Sequence, residues 1–129
     1  MRALIVTFTK PYRLVKGFIK KGETIGIVSC NSCVRACETG GRKCMEELSE
    51  RLKADGYSVV DEDLIPMACN IALVKKPVYE GDVLVVLACE AGVFSLKKLF
   101  PDKKIIAALE TRGLGARDVN NTIYLMKEF

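Results

Sequence analysis

Short continuous apolar runs along the chain alternate with segments in which apolar residues recur at helical spacing. Continuous runs of about four to eight residues are typical of strands that are buried on both faces of a parallel sheet. The clearest runs are residues 24–29 (TIGIVS) and 83–88 (VLVVLA), which we predict as buried strands. Further strands are predicted over residues 57–60 and 104–109, and residues 2–8 predict a strand or an extended arm.

The segments between these runs carry apolar residues three and four positions apart, a spacing that predicts helices with one buried face. Glycine and proline mark where these helices begin and end. The predicted helices follow Pro11, follow Gly40-Gly41, and cover residues 68–76 and 94–100, whereas residues 61–66 predict a loop and residues 123–126 a short helix or an edge strand.

This alternation of strands and helices predicts an α/β fold in three layers. Strands that are separated by single helices form a mostly parallel sheet with right-handed crossovers. The 129 residues fit one domain, so we predict a single cysteine-rich α/β domain over residues 1–129. The size suggests a flavodoxin-like or half-Rossmann arrangement.

The distribution of apolar residues argues against a membrane segment. Apolar residues make up 50% of the chain, but no run approaches the ~20 residues that span a bilayer. The apolar run near the start is too short for a signal peptide, and Lys10, Arg13 and Lys16 follow it directly. We therefore expect a cytoplasmic protein with no membrane partner.

The 20 basic residues exceed the 16 acidic residues and give a net charge of +4. Many of them cluster over residues 10–21 and 97–104, beside apolar residues at helical spacing, which favours solvated helix faces. A basic docking surface for an acidic protein partner is the alternative. No nucleic acid is expected as a partner, because no recognised binding motif accompanies these charges.

The absence of histidine from the chain excludes several kinds of chemistry at once. A Ser-His-Asp triad, a Cys-His pair, a histidine-ligated zinc ion and a histidine general base all require the missing side chain. Any metal chemistry must therefore use thiolates, with carboxylates as the other available ligands.

The six cysteines point to metal binding. In a chain expected in a reducing compartment, they favour metal or redox chemistry over a disulfide framework. Cys30, Cys33 and Cys37 follow a C-x2-C-x3-C spacing, which lets one tight loop wrap several thiolates around a single centre. The start of the next helix adds backbone N–H groups, which stabilise the negative charge of a cluster and its thiolates.

A fourth ligand must come from elsewhere in the chain. Cys89 is the first candidate, because it and Cys30 each follow a predicted buried strand. The carboxyl ends of parallel strands share one edge of the sheet, where open α/β sheets bind their ligands. Cys69 follows another predicted strand at the same edge and is the second candidate. Cys44 falls within a predicted helix, and we interpret it as an ordinary cysteine that is at least half-buried.

Three kinds of centre are compatible with these cysteines. Four thiolates without histidine suit a [4Fe–4S] cluster, and the loop spacing is similar to that of cluster loops. The same four thiolates suit tetrahedral zinc. Cys30 and Cys33 could instead form a redox disulfide at a strand-to-helix turn, but Cys37 would then have no function. We predict the iron–sulfur cluster, with zinc as the alternative.

An ordered set of motifs resembles a known protein family. The motifs are Pro11 with its helix, residues 25–29 with the three-cysteine loop, Thr39-Gly40-Gly41, Cys69-Asn70, Leu73-Val74, and residues 83–89 followed by Ala91-Gly92-Val93. Together they cover nearly the whole chain and resemble the small cysteine-rich subunit, or the equivalent appended domain, that is associated with methylenetetrahydrofolate reductase in acetogenic and other anaerobic microbes.

The resemblance implies an accessory role in electron transfer. In that family, folate reduction occurs on a separate flavin-bearing (β/α)8 barrel, and the cysteine-rich subunit binds metal and links the barrel to an electron-donor protein. A barrel needs about 250 residues, so catalysis is expected on the partner. The alternatives are a zinc-stabilised interaction module without redox activity and a free-standing thiol–disulfide oxidoreductase. The family's cysteines match Cys30, Cys33, Cys37, Cys69 and Cys89 of this sequence.

The chain departs from that family in two places. Longer members continue into a further cysteine-rich segment, and this sequence contains none before Phe129. We therefore expect it to lack any second cluster or donor contact that such a segment supplies. Longer members also carry glycine where Glu90 stands, so the geometry beside Cys89 is expected to differ.

Overall fold

The structure, a computed structural model, describes residues 2–129 of the chain. Strands β1 to β7 and helices α1 to α4 are joined by short loops, apart from one long segment between β3 and β4 that contains a 3-10 helix over Ile71–Leu73. In chain order the elements are β1 (Arg2–Thr9), α1 (Tyr12–Gly17), β2 (Thr24–Cys30), α2 (Cys33–Ala36), α3 (Arg42–Ala54), β3 (Ser58–Ile65), β4 (Val83–Leu87), α4 (Glu90–Leu99), β5 (Lys104–Ala107), β6 (Leu109–Arg117) and β7 (Ile123–Glu128).

A parallel sheet with the order β3-β2-β4-β5 forms the centre of the molecule. Its two inner strands are almost entirely buried, with Ile25 and Ile27 of β2 and Val85 of β4 fully shielded from solvent. The chain crosses from β2 through α3 to β3 in one direction and from β4 through α4 to β5 in the other. The predicted α/β class and its parallel sheet are therefore confirmed.

The direction of the crossovers reverses between β2 and β4, the two inner strands. Right-handed crossovers that leave in opposite directions bring their helices to opposite faces of the sheet. At such a reversal the two loops beyond the carboxyl ends separate and leave a crevice, which is the usual ligand-binding place in open α/β sheets. β2 ends at Cys30, and Cys89 is the N-cap of α4, two residues after β4.

A second, antiparallel sheet with the order β1-β6-β7 was not predicted. β1 pairs along its whole length with β6, from Arg2 opposite Arg117 to Thr9 opposite Leu109, so it does not join the parallel sheet. The sequence does not predict β6, because Gly113 and Gly115 interrupt its apolar pattern. Both glycines are required, since a side chain at either position would collide with the backbone carbonyls of β7.

Other predicted boundaries were wrong in informative ways. β3 continues through residues 61–65, where a loop was predicted, because Asp61 and Asp63 have polar partners in the segment that follows and Glu62 faces solvent. The helix predicted over residues 68–76 is reduced to the single 3-10 turn, in which the Asn70 side chain accepts a hydrogen bond from the Ala72 N–H at 3.1 Å. α4 begins at Glu90, earlier than predicted. Of the two alternatives for residues 123–126, the edge strand is confirmed, because they belong to β7.

The long segment between β3 and β4 is held to β3 by polar contacts, two of which are partly buried. The hydroxyl of Tyr79 donates a hydrogen bond to Asp63 Oδ2 at 2.5 Å, and the Tyr79 side chain is only 1% exposed. Lys76 Nζ forms an ion pair with Asp61 Oδ1 at 2.7 Å, and the Glu80 N–H donates to the same carboxylate. These contacts position a segment that has almost no regular structure of its own.

No helix in residues 2–129 has both the length and the apolar character needed to cross a membrane.

We predict that Tyr79→Phe destabilises the protein by about 1–3 kcal/mol, because the substitution leaves the half-buried Asp63 carboxylate without its hydroxyl donor. Chemical denaturation would measure the free energy of unfolding. The matched control is Tyr124→Phe, which removes an exposed hydroxyl that donates to Asp118 at 3.2 Å and should cost less than about 0.5 kcal/mol. Equal losses for the two variants would show that Tyr79 does not anchor the segment.

Candidate metal centre

Cys30 lies at the carboxyl end of β2, between the ends of the two neighbouring strands. It pairs with Ile65 of β3, and the residue before it pairs with Leu87 of β4. The Asn31 N–H extends the ladder by donating to the Ile65 carbonyl at 2.8 Å. Cys30 is therefore buried and lies at the carboxyl edge of the central sheet, where the sequence predicted it.

The hydroxyl of Ser29 fixes the loop that carries the other cysteines. Ser29 is fully buried, donates to the Cys30 carbonyl at 2.9 Å and accepts the Gly41 N–H at 2.8 Å. Gly41 has φ +91°, a backbone conformation that favours glycine. A side chain at Gly40 would lie 2.9 Å from the Cβ of Val34. The two glycines thus let the loop fold back tightly onto the end of β2.

The sulfur of Cys30 accepts a hydrogen bond from the backbone N–H of Ala68 at 3.4 Å. Such N–H donors stabilise negative charge on a cysteine sulfur and tune bound clusters. Ala68 is itself fully buried and lies in the segment that follows β3. The contact therefore brings the next residue, Cys69, to the same edge of the sheet as Cys30.

A close packing contact brings Cys89 to the same place. In the first turn of α4, a Cβ built on Gly92 would lie only 3.0 Å from the Cβ of Ala68. Because Gly92 has no side chain, the start of α4 approaches the Ala68–Cys69 segment closely. Cys89 is the N-cap of α4, and the Glu90 N–H beside it donates to Thr111 Oγ1 of β6 at 2.9 Å.

The pKa of the Cys69 thiol is affected by other cysteines near it. Burial raises the pKa of the Cys69 thiol, and the nearby sulfurs of Cys89, Cys30 and Cys33 raise that pKa further. A thiol pKa rises in this way when other groups that can become negative lie nearby. Cys30, Cys33 and Cys89 therefore lie near enough to Cys69 to act on its charge, although the sulfurs are farther apart than the ligands of one metal centre.

Cys37, the third cysteine of the loop, has different surroundings. It follows α2 by one residue, and its sulfur contacts the backbone carbonyl of Ile5 in β1 at 3.7 Å. Cys44 lies in the first turn of α3, where its sulfur contacts the Glu38 carbonyl at 3.5 Å. Burial is the main cause that raises the pKa of the Cys44 thiol, and the charge of Glu47 raises it further. Neither residue is among the neighbours that shift the pKa of Cys69.

The four cysteines form an open group in this structure. All six cysteines are free thiols. Over residues 2–129, no three Cys, Asp or Glu side chains already stand at the mutual distances of metal ligands. The donor set nevertheless fits a metal centre, because four thiols without histidine are the ligands that iron–sulfur clusters and structural zinc use.

Sequence reasoning did not find two arginines beside this group. Arg35 of α2 and Arg117 of β6 line a cleft together with Cys33. Arg35 sits inside the cysteine loop and could have been noticed there. Arg117 could not, because it belongs to a strand that the apolar pattern does not reveal.

Comparison with protein-family models, curated proteins and solved structures found no match to this chain. The resemblance carried by the sequence motifs therefore stays a prediction.

We predict that Gly92→Ala destabilises the protein by about 1–3 kcal/mol, because the added methyl group would overlap Ala88 and Ala68 and push α4 from the segment that carries Cys69. Thermal unfolding would measure the change. The control is Gly17→Ala at the end of α1, where an added Cβ has no neighbour within 4 Å. If both variants unfold at the same temperature, the packing between α4 and Ala68 does not hold the cysteines together.

Proposed function

We propose that this chain is an accessory, metal-binding electron-transfer subunit of a methylenetetrahydrofolate reductase-type flavoenzyme complex. The proposed ligands of a [4Fe–4S] cluster are Cys30, Cys33, Cys69 and Cys89. The observation that carries the proposal is the convergence of these four thiols, from three separate segments, on the crevice where the strand order reverses.

The strand order supports a flavodoxin-like assignment of the parallel sheet. Counted from β2, the order β3-β2-β4-β5 corresponds to 2-1-3-4, the first four positions of the flavodoxin-like order 2-1-3-4-5. Ligands of that arrangement lie between strands 1 and 3, which here are β2 and β4. Cys30 and Cys89 follow these two strands, so the proposed centre occupies the expected ligand position of the proposed fold.

The ligand set differs by one residue from the set that the loop spacing favours. Cys37 remains close to Cys33 along α2, but its sulfur contacts β1, and Cys69 takes its place in the group. Cys69 is exposed and lies in an irregular segment, so it can move toward the other three sulfurs at little cost in packing. Metal binding would draw the four sulfur atoms closer together than they are in this structure.

Each residue would contribute a distinct property to the bound state. Cys30 provides a fixed, buried ligand whose charge the Ala68 N–H stabilises. Cys33 and Cys69 are less buried, so the centre would have an approach from solvent for a redox partner. A bound [4Fe–4S] cluster supplies one-electron transfer, which free thiols do not.

The proposed partners follow from the motif resemblance. They are a flavin-containing methylenetetrahydrofolate reductase catalytic subunit, which would accept the electrons, and an electron-donor protein. The proposed location is the cytoplasm, because six unpaired cysteines suit a reducing compartment.

We predict that the protein, purified without oxygen, contains about four iron and four sulfide per chain. Cys69→Ser and Cys89→Ser should each lower the iron content strongly, because serine is a poor substitute for a thiolate ligand. Metal analysis, sulfide analysis and the visible absorption spectrum would measure this. The matched controls are Cys37→Ser and Cys44→Ser, which should keep the metal.

Two results would contradict parts of this proposal. One zinc per chain without sulfide would make the protein a zinc-stabilised interaction module and remove the electron-transfer role. Loss of iron in Cys37→Ser, with iron kept in Cys69→Ser, would restore the ligand set that the loop spacing favours. Circular dichroism of each variant would separate loss of metal from loss of fold.

We further predict that the metal-loaded chain, reduced with dithionite and freed of excess reductant, bleaches the flavin of a purified methylenetetrahydrofolate reductase catalytic subunit. Two reduced chains would supply the two electrons that one flavin accepts. The metal-depleted Cys69→Ser chain should leave the flavin oxidised. A flavin that stays oxidised with the loaded chain would remove this reductase as the partner while leaving the metal centre intact.

A further inference from the structure

A cleft of about 350 Å³ lies between the antiparallel sheet and the cysteine loop. Leu4 of β1 and Arg117 of β6 form one wall, Ser32 and Arg35 form the other, and Met67 lies at its edge. The volume is within the range of small-molecule sites, which is roughly 300–1,000 Å³. It adjoins Cys33 but is formed largely by other residues.

The charges in this cleft are unbalanced. Arg35 and Arg117 both line it, and no aspartate or glutamate of the described chain does. Neither guanidinium takes part in any ion pair or side-chain hydrogen bond found among residues 2–129. Two unpaired guanidinium groups around one concave space repel each other, and a bound anion would remove that repulsion.

The fold restrains part of each arginine, although Arg35 is exposed. The stem of Arg35 packs against Gly41, since a Cβ added to Gly41 would lie 3.1 Å from Arg35 Cγ. Arg117 is half-buried at the end of β6, with its backbone paired to Ile123 of β7. The side chains of Asn31 and Ser32 also line the cleft and supply neutral hydrogen-bonding groups.

We propose that this cleft binds the phosphate group of a small molecule through Arg35 and Arg117. A phosphate monoester carries up to two negative charges, and its oxygens match the paired N–H groups of guanidinium. A single phosphate does not fill the cleft, so the remaining space beside Leu4 and Met67 would accept the organic part of the ester. The proposal does not depend on the metal centre.

A neighbouring cavity provides an internal comparison. It lies at the start of α3 and shares Arg35 with the cleft. Arg42 and Lys43 also line it, but so do the carboxylates of Glu38 and Glu47. Those carboxylates would offset the two basic groups and repel a phosphate. The cleft with Arg117 is therefore the preferred phosphate site although both cavities are basic.

The test is isothermal titration calorimetry of the full chain with glycerol 3-phosphate and, separately, inorganic phosphate, at an ionic strength held constant with potassium chloride. Saturable binding is expected, tighter for the ester, because its glycerol part would occupy space that inorganic phosphate leaves empty. Arg35→Gln and Arg117→Gln should each weaken binding about tenfold, the size expected from losing one charge-assisted hydrogen bond. Arg13→Gln, in exposed α1, removes the same charge and should change the affinity less than about twofold.

Several results would overturn the proposal. The first is that neither compound binds saturably below about 10 mM. The second is that Arg13→Gln weakens binding as much as the two cleft substitutions do. The third is that binding is weakened by substitution of Arg42 and not by substitution of Arg117. Loss of bound metal in Arg35→Gln and Arg117→Gln, without phosphate binding to the parent chain, would also overturn it. That result would mean that the two arginines only balance the charge of a metal–thiolate centre. Because the metal content is measured separately, failure of this proposal is distinguishable from failure of the proposed function.

Discussion

The buried hydroxyl of Ser29 is the contact on which the arrangement of the cysteine loop depends. It joins the end of β2 to Gly41, so the ten residues between Asn31 and Gly40 must leave the sheet and return to it within a short distance. That constraint fixes Cys30 in the core and places Cys33 at the start of a single helical turn. A buried hydroxyl with all its partners satisfied is costly to replace, because an apolar side chain would leave the Gly41 N–H unpaired.

The candidate centre is formed by close approach of backbones as much as by cysteines. Gly92 lets α4 reach Ala68, and Ala68 donates to the sulfur of Cys30, so three segments meet at one edge of the sheet. The antiparallel sheet then closes the other side, through the contact of Thr111 with the start of α4. The arginine cleft adjoins this group at Cys33 but is otherwise lined by other residues.

The apolar pattern was sufficient to predict β2, β4 and α3, because these elements are defined by burial against one another. It also placed Cys30 and Cys89 at one edge of the sheet, since both follow buried strands. It could not predict β6, whose glycines are needed only because β7 and β1 lie so close to them. Spacing along the chain likewise does not fix the direction of a side chain, and this is why Cys37 contacts β1 while the more distant Cys69 lies beside Cys89.

The pairing of β1 with β6 has a consequence for the order in which the protein assembles during synthesis. β1 is made first, yet its only strand partner in the described chain is made near the end. Long-range pairing of this kind forms late, whereas β2 to β5 can pair as soon as they have emerged. The four gathered cysteines all precede β6. The topology thus implies an interval in which these thiols already stand together and the wall that carries Arg117 has yet to close over them.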